Sequence, residues 1–161
     1  ETERDFYLGG VNGLPFKTPH DANESVGFVF RCGGSKLSIL TDAGHVSERM
    51  LDAVAGSSLI LIESNHDVDM LKAGRYPYPL KKRILGDFGH LSNDACGAAL
   101  TALYGRGVRR AVLGHLSREN NFESLALETV RGALRASDIP DEAFALSVAH
   151  RDRVGERYQI D

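Results

Sequence analysis

The stretch KLSILTDAGHVSERMLDAVAGSSLILIESNHD, residues 36–67, decides the fold. Its flanks, 36–41 and 58–63, are short runs of β-branched and long aliphatic residues, each the length of a strand. Between them, 47–55 fits a helix with Ser47 as its cap. Strand, helix, strand in direct succession is the unit of an α/β layered fold. Upstream, VGFVFRC at 26–32 is joined to the first of these strands by GGS at 33–35. A tight turn of that kind makes 26–41 a β-hairpin. A further strand is predicted at 13–18. Downstream the alternation continues, with helices at 67–73, 93–105 and 122–136 and strands at 109–114, 143–149 and 156–160. In the third helix Ala95, Ala98, Ala99, Ala102 and Leu103 recur at helical spacing behind Ser92 or Asn93 as cap. In the fourth, Leu125, Leu127, Val130 and Leu134 supply the apolar side, and Asp138-Ile139-Pro140 stops it. No linker or low-complexity segment divides the chain, so 1–161 is expected to be a single domain of the α/β (α+β) class.

The bulk composition excludes several classes. With 161 residues, 42% hydrophobic and 25% charged, the chain has the make-up of an ordinary globular domain. No apolar run reaches the roughly 20 residues of a membrane helix, and no signal peptide opens the chain. Cys32 and Cys96 stand far apart without a C-x-x-C pair, which fits reduced thiols and a cytoplasmic location. A net charge of −3 argues against a generally basic nucleic-acid binder. One segment departs from that average. KAGRYPYPLKKR, 72–83, holds Lys72, Arg75, Lys81, Lys82 and Arg83 with no acid, and Tyr76 and Tyr78 alternate with two prolines. The prolines predict an extended or turning loop whose side chains point outward to phosphates and bases. A solvated connector with both tyrosines packed on the core is the competing reading.

Polar residues fall at telling places. Asp42 follows KLSILT, Glu63 closes SLILIE, and His115 follows RRAVLG, each just past the carboxyl end of a predicted strand. Ligands of α/β sheets bind at that edge. His20 stands in TPHDANES, immediately before the hairpin. Imidazoles with a carboxylate suit zinc or manganese. Each residue also has a structural reading. Asp42 before Ala43-Gly44 suits a turn, His115 a helix N-terminus, and His20 an exposed loop. For Glu63 and His66 the favoured reading is a strand-to-helix turn capped by Asn65 or Asp67. His45 is expected to lead into the helix at Ser47, and His150 to be structural in a charged turn.

What raises these residues together is their order. PHDANESVGFVF, TDAGH, LIESNHD, YPYPLKKRILGDFGHLSN and LGHLSREN, over about residues 15–135, resemble the metallo-β-lactamase-fold hydrolases. Within them the likeness is to the WalJ/YycJ-like group of DNA exonucleases, and more distantly to ribonucleases Z and J. The resemblance implies a four-layer αββα sandwich with two divalent metals, zinc or manganese, at one edge of its sheets. It implies His20 and His115 as metal-binding histidines and Asp42 as the carboxylate bridging the metals. It implies His90 as a non-ligand histidine that protonates the leaving group with help from an acid, so that Asp42 and His90 carry the chemistry. It further implies DNA or RNA as substrate, with 72–83 contributing phosphate contacts. The family's H-x-H-x-D-H motif is absent, since the histidines stand at 20, 45, 66, 90, 115 and 150. The chain therefore resembles the C-terminal half of a longer enzyme, one mixed sheet flanked by helices, with Glu1 near the point where the other half would end.

Three ligand residues do not fill the roughly eight to ten positions of two four- or five-coordinate metals. Little or no hydrolysis is thus expected from this chain alone, and a bare sheet face should favour the missing half or self-association as partner. Two other functions fit the same residues: hydrolysis of a small ester or thioester, and a non-catalytic half-fold interaction module. A final expectation concerns the repeated Gly-His-Leu-Ser at 89–92 and 114–117. Its histidines are expected to differ, His115 holding metal and His90 moving a proton, each beside a glycine that lets the chain turn tightly.

Overall fold

The computed structural model describes residues 4–160; Glu1, where the resemblance puts the join to another half, lies outside them, as do residues 2–3 and 161. Seven strands form one sheet in the order of the sequence. They are β1 Phe6–Leu8, β2 Val11–Lys17, β3 Val26–Cys32, β4 Ser35–Leu40, β5 Leu59–Glu63, β6 Arg110–Gly114 and β7 Ala145–Val148. β1 to β4 pair antiparallel, through hairpins such as the one closed by Gly33-Gly34 between Cys32 and Ser35. From β4 to β7 the pairing is parallel, because a helix-bearing crossover returns the chain to the same end each time. The crossovers carry α1 Glu48–Val54, α2 Val68–Ala73, α3 Tyr78–Ile84, α4 Asn93–Gly105 and α5 Glu123–Ala136, with a 3-10 turn at Asp141–Ala143.

The main strand and helix expectations agree with these elements to within two residues at each end. Ser47, Asp67 and Ser92 cap α1, α2 and α4, each side chain accepting from the amide three residues on. Three differences have physical causes. The segment 156–160 forms no strand. It lies alongside the sheet instead, held by Tyr158 to Ser147 (2.7 Å) and by Arg110 to the Gln159 carbonyl (3.0 Å). The three-residue β1 is too short to show a period, and it exists because Gly9, at φ 59°, turns it onto β2. The basic stretch is not a loop, since Lys72 and Ala73 end α2 and all of its second half, 78–83, is α3. Pro77 stands at the N-cap and Pro79 in the first turn, where a missing N–H breaks no helical bond. Leu80 and Lys81 then donate to the Pro77 carbonyl.

Alternation along the strands separates two faces. On one, Val29, Leu40, Ile60, Ile62 and Leu113 meet Met50 and Val54 of α1, Leu100 and Leu103 of α4, and Val130 and Leu134 of α5. All of these are buried, and each large side chain contributes about 1.5–3 kcal/mol relative to exposure. On the other face Phe28, Phe30, Leu37, Ile39 and Leu61 line up across β3, β4 and β5, half-buried and outside that core. This apolar face is the one expected of half a sandwich.

Candidate metal centre

β4, β5 and β6 are parallel neighbours, so their carboxyl ends come out side by side. Asp42, Glu63 and His115 stand there in a row. Asp42 and His115 both adopt left-handed backbone, φ 53° and 58°, which is uncommon for residues other than glycine and clusters at functional sites. His90 joins them from the segment between α3 and α4. One donor atom from each of Asp42, Glu63, His90 and His115 lies within 4.8 Å of the other three. His20 reaches the same place from the β2–β3 connection. Its Nε2 is 3.8 Å from Asp42 Oδ1, its ring centroid 4.8 Å from that of His90. Its Nδ1 is 2.8 Å from the Gly89 carbonyl, an arrangement in which Nδ1 donates and Nε2 keeps its lone pair towards Asp42. The sequence-predicted residues His20, Asp42, His90 and His115 are therefore brought together.

Glu63, for which the sequence favoured a turn role, is the hub. It is fully buried, and its Oε1 accepts from His115 Nδ1 at 2.6 Å and His90 Nδ1 at 2.7 Å. Its Oε2 accepts from the amides of Ala43 (3.1 Å) and Leu91 (3.4 Å). Burial alone would push this carboxyl up, but the hydrogen bonds from His115, His90 and Ala43 outweigh it and hold it down at about 2. The Glu63 hydrogen bond in turn raises His115 above its usual value, against partial burial. The available signal was positional: Glu63 closes β5 just as Asp42 and His115 follow β4 and β6.

A buried polar bed fixes these loops. Asn121 donates to the carbonyls of Ser64 (2.8 Å) and Asn65 (3.1 Å) and exchanges amide hydrogen bonds with Asn93. Asn65 donates to the His115 carbonyl (2.8 Å), and Ser64 donates to Asn93 (2.7 Å). Beneath them His66 is 1% exposed, and neither ring nitrogen has a hydrogen-bond partner. Burial holds its imidazole down at about 4, against the pull of the Glu63 carboxylate. His45 and His150 lie apart, on the Asp87 carbonyl and the Glu123 carboxylate.

Neither glycine of the two Gly-His-Leu-Ser segments adopts positive φ, so neither is there for left-handed backbone, although Gly89 closes a turn on the Gly86 carbonyl. They permit close approach. A Cβ on Gly89 would stand 2.1 Å from the Ile84 carbonyl oxygen, and one on Gly114 would stand 2.9 Å from Leu61.

A cavity of about 590 Å³ opens over the cluster, lined among others by Tyr76, Arg83, Ser117, Arg118 and Arg151. The basic stretch is divided. Tyr76 and Arg83 face this cavity, but Arg83 is engaged by the Asp21 carboxylate through two hydrogen bonds. Lys72, Tyr78, Lys81 and Lys82 line a separate groove, with Lys81 Nζ on the Lys72 carbonyl (2.6 Å). Arg75 is exposed and lines neither. The nitrogen and carboxylate donors suit a zinc- or manganese-type divalent ion. The buried carboxylate that holds His115 by Nδ1 is the orienting partner a metal-binding imidazole requires.

No family model matches the chain. It is 38% identical over 127 residues to exodeoxyribonuclease YycJ of Bacillus anthracis, covering 79% of this chain and 48% of that protein. It is 39% identical over 132 residues to exodeoxyribonuclease WalJ of Streptococcus pneumoniae, covering 82% and 49%. The chain thus spans about half the length of the curated relatives it matches. Among solved structures it superposes on the metallo-β-lactamase fold protein YhfI from Bacillus subtilis with a TM-score of 0.63 at 12% identity, over 92% of this chain and 50% of that one. Zn²⁺-bound PqqB from Methylobacterium extorquens gives 0.63 at 22% identity, over 93% and 48%. By sequence the chain groups with the YycJ and WalJ exodeoxyribonucleases, about half of whose length it spans, and by fold with metallo-β-lactamase fold proteins such as YhfI.

Proposed function

We propose that this chain supplies one side of a metal-dependent phosphodiesterase centre that removes nucleotides from DNA. The observation that carries the reading is the convergence of Asp42, His90 and His115 on buried Glu63, with His20 beside them. In this reading His20, Asp42 and His115 would hold divalent metal, zinc or manganese. Bound metal would supply Lewis-acid activation of water and of the phosphoryl group. Glu63 accepts the Nδ1 proton of His90, which leaves Nε2 to carry a proton to the departing oxygen and favours the imidazolium that does so. The acid that assists His90 is thus Glu63. The remaining metal donors are expected from a segment bearing H-x-H-x-D-H, seated on the apolar face of Phe28, Phe30 and Leu61; a cytoplasmic location belongs to the same reading. Among the described residues no helix is long and apolar enough to cross a membrane.

Equilibrium dialysis against zinc and manganese, beside exonuclease and small-ester assays, tests this. This chain alone should bind at most one metal weakly and hydrolyse nothing, while the assembled protein should bind two and degrade DNA. Stoichiometric two-metal binding by this chain alone, or ester turnover without DNA turnover, overturns the proposal.

A further inference from the structure

The metal-centre cavity continues past His115 into a second one of about 450 Å³, and the two share Ser117, Arg118 and Arg151 as a common lip. Arg118 is exposed and, among the described residues, has no carboxylate or carbonyl partner. Arg151 donates to the Leu116 carbonyl, which spends one of its five donors and orients the rest. The far wall is the start of α5, a fourteen-residue helix with no side-chain cap, so its first amides and its dipole also face this end. Phe122, at that start, is 52% exposed, a costly display for a phenyl ring unless something covers it. Two acids also line this cavity: Glu123, engaged by His150, which Arg153 also contacts, and exposed Asp152.

We propose that this second cavity is a nucleotide subsite, in which Arg118 and Arg151 hold the phosphate next to the metal centre and Phe122 stacks on the base that follows it. The proposal rests on the nuclease reading and sharpens it. The strand is held on the β6–α5 side of the centre, not over the lysines of α3. Guanidiniums suit phosphate oxygens through paired N–H donors, and an aromatic face takes any base, so the subsite grips without selecting sequence.

The test is fluorescence anisotropy of a short single-stranded DNA, 5′-phosphorylated and 3′-labelled, with the protein in EDTA so that no turnover occurs. Arg118→Ala should weaken binding roughly tenfold and lower the slope of log affinity against log salt by about 1. Phe122→Ala should weaken it roughly tenfold with the slope unchanged, and Phe122→Trp should restore it. Among the described residues Arg118 makes no hydrogen bond or ion pair, so its variant should keep the native structure even if Phe122→Ala loosens α5. Wild-type affinity and slope in Arg118→Ala and Phe122→Ala, with loss in Lys81→Ala/Lys82→Ala, would overturn the subsite. Binding that depends on Arg118 in an assembled protein that cleaves no DNA would leave the subsite standing and remove the nuclease reading. No binding of the oligonucleotide at all would remove both.

Discussion

His66 should make the metal-free protein acid-sensitive in a defined window. Its imidazole ordinarily titrates at 6.5, and burial without a hydrogen-bond partner brings it down to about 4 in the native state. Between those values the unfolded chain binds a proton that the native protein refuses. Stability is therefore intact above pH 6.5 and lost as the pH falls towards 4. By linkage the deficit reaches about 2.5 kcal/mol at pH 4.5, of which about 2 kcal/mol develops below pH 6.5. His115 acts in the opposite sense and in another window. Its bond to Glu63 raises it, so its contribution is complete below 6.5 and disappears as the pH rises through its native value. Glu63, held at about 2, adds its own loss only below about 4.5. The stability optimum thus falls near pH 6.5. Urea unfolding followed by circular dichroism in EDTA should show the midpoint dropping by about 1 M between pH 6.5 and 4.5, for a slope near 2 kcal/mol/M. His66→Leu removes the titration and breaks no hydrogen bond, so it should unfold within about 1 kcal/mol of wild type at pH 7 and lose most of the drop. An equal drop in His66→Leu, or none in wild type, would refute the reasoning.

Glu63→Gln keeps the shape but loses the charge that holds two imidazoles, and zinc affinity measured by dialysis should fall about 10- to 100-fold; unchanged affinity would assign Glu63 a purely structural part. His115→Ala should lose metal, whereas His90→Ala in the assembled protein should keep metal and lose about 10²- to 10⁴-fold in rate; metal analysis beside a DNA-cleavage assay distinguishes the two, and equal metal loss in both would contradict the division of roles. Asn121→Ala strands the Ser64 carbonyl and the Asn93 Nδ2 donor, while the Asn65 carbonyl keeps the Ser117 amide, and should cost about 3 kcal/mol in urea unfolding; a loss below about 1 kcal/mol would show that the bed relaxes around the gap.

The strands were legible because VGFVFRC, KLSILT, SLILIE and RRAVLG are short, β-branched and bounded by turn residues. Asp42 and His115 were legible for a related reason, since the residue after a parallel strand faces the ligand edge wherever the strand pairs. Glu63 was not. Burial of its carboxylate depends on two imidazoles from residues 27 and 52 positions away, and no local pattern carries that information. α3 was hidden by prolines, which break a helix interior but suit its first turn; only the register of the cap decides between the two. The uncapped start of α5 and the exposed Phe122 were equally silent, because their meaning lies in the cavity that Arg118 and Arg151 close.

One oxygen of Glu63 receives both rings, and an sp² oxygen offers two lone pairs, so it is saturated. The two Gly-His-Leu-Ser segments consequently cannot be retuned one at a time. A substitution that shifts one imidazole changes the acceptor seen by the other, and variants at 90 and 115 should show strong epistasis in a double-mutant cycle. Two stretches of sequence 25 residues apart thus share one acceptor atom.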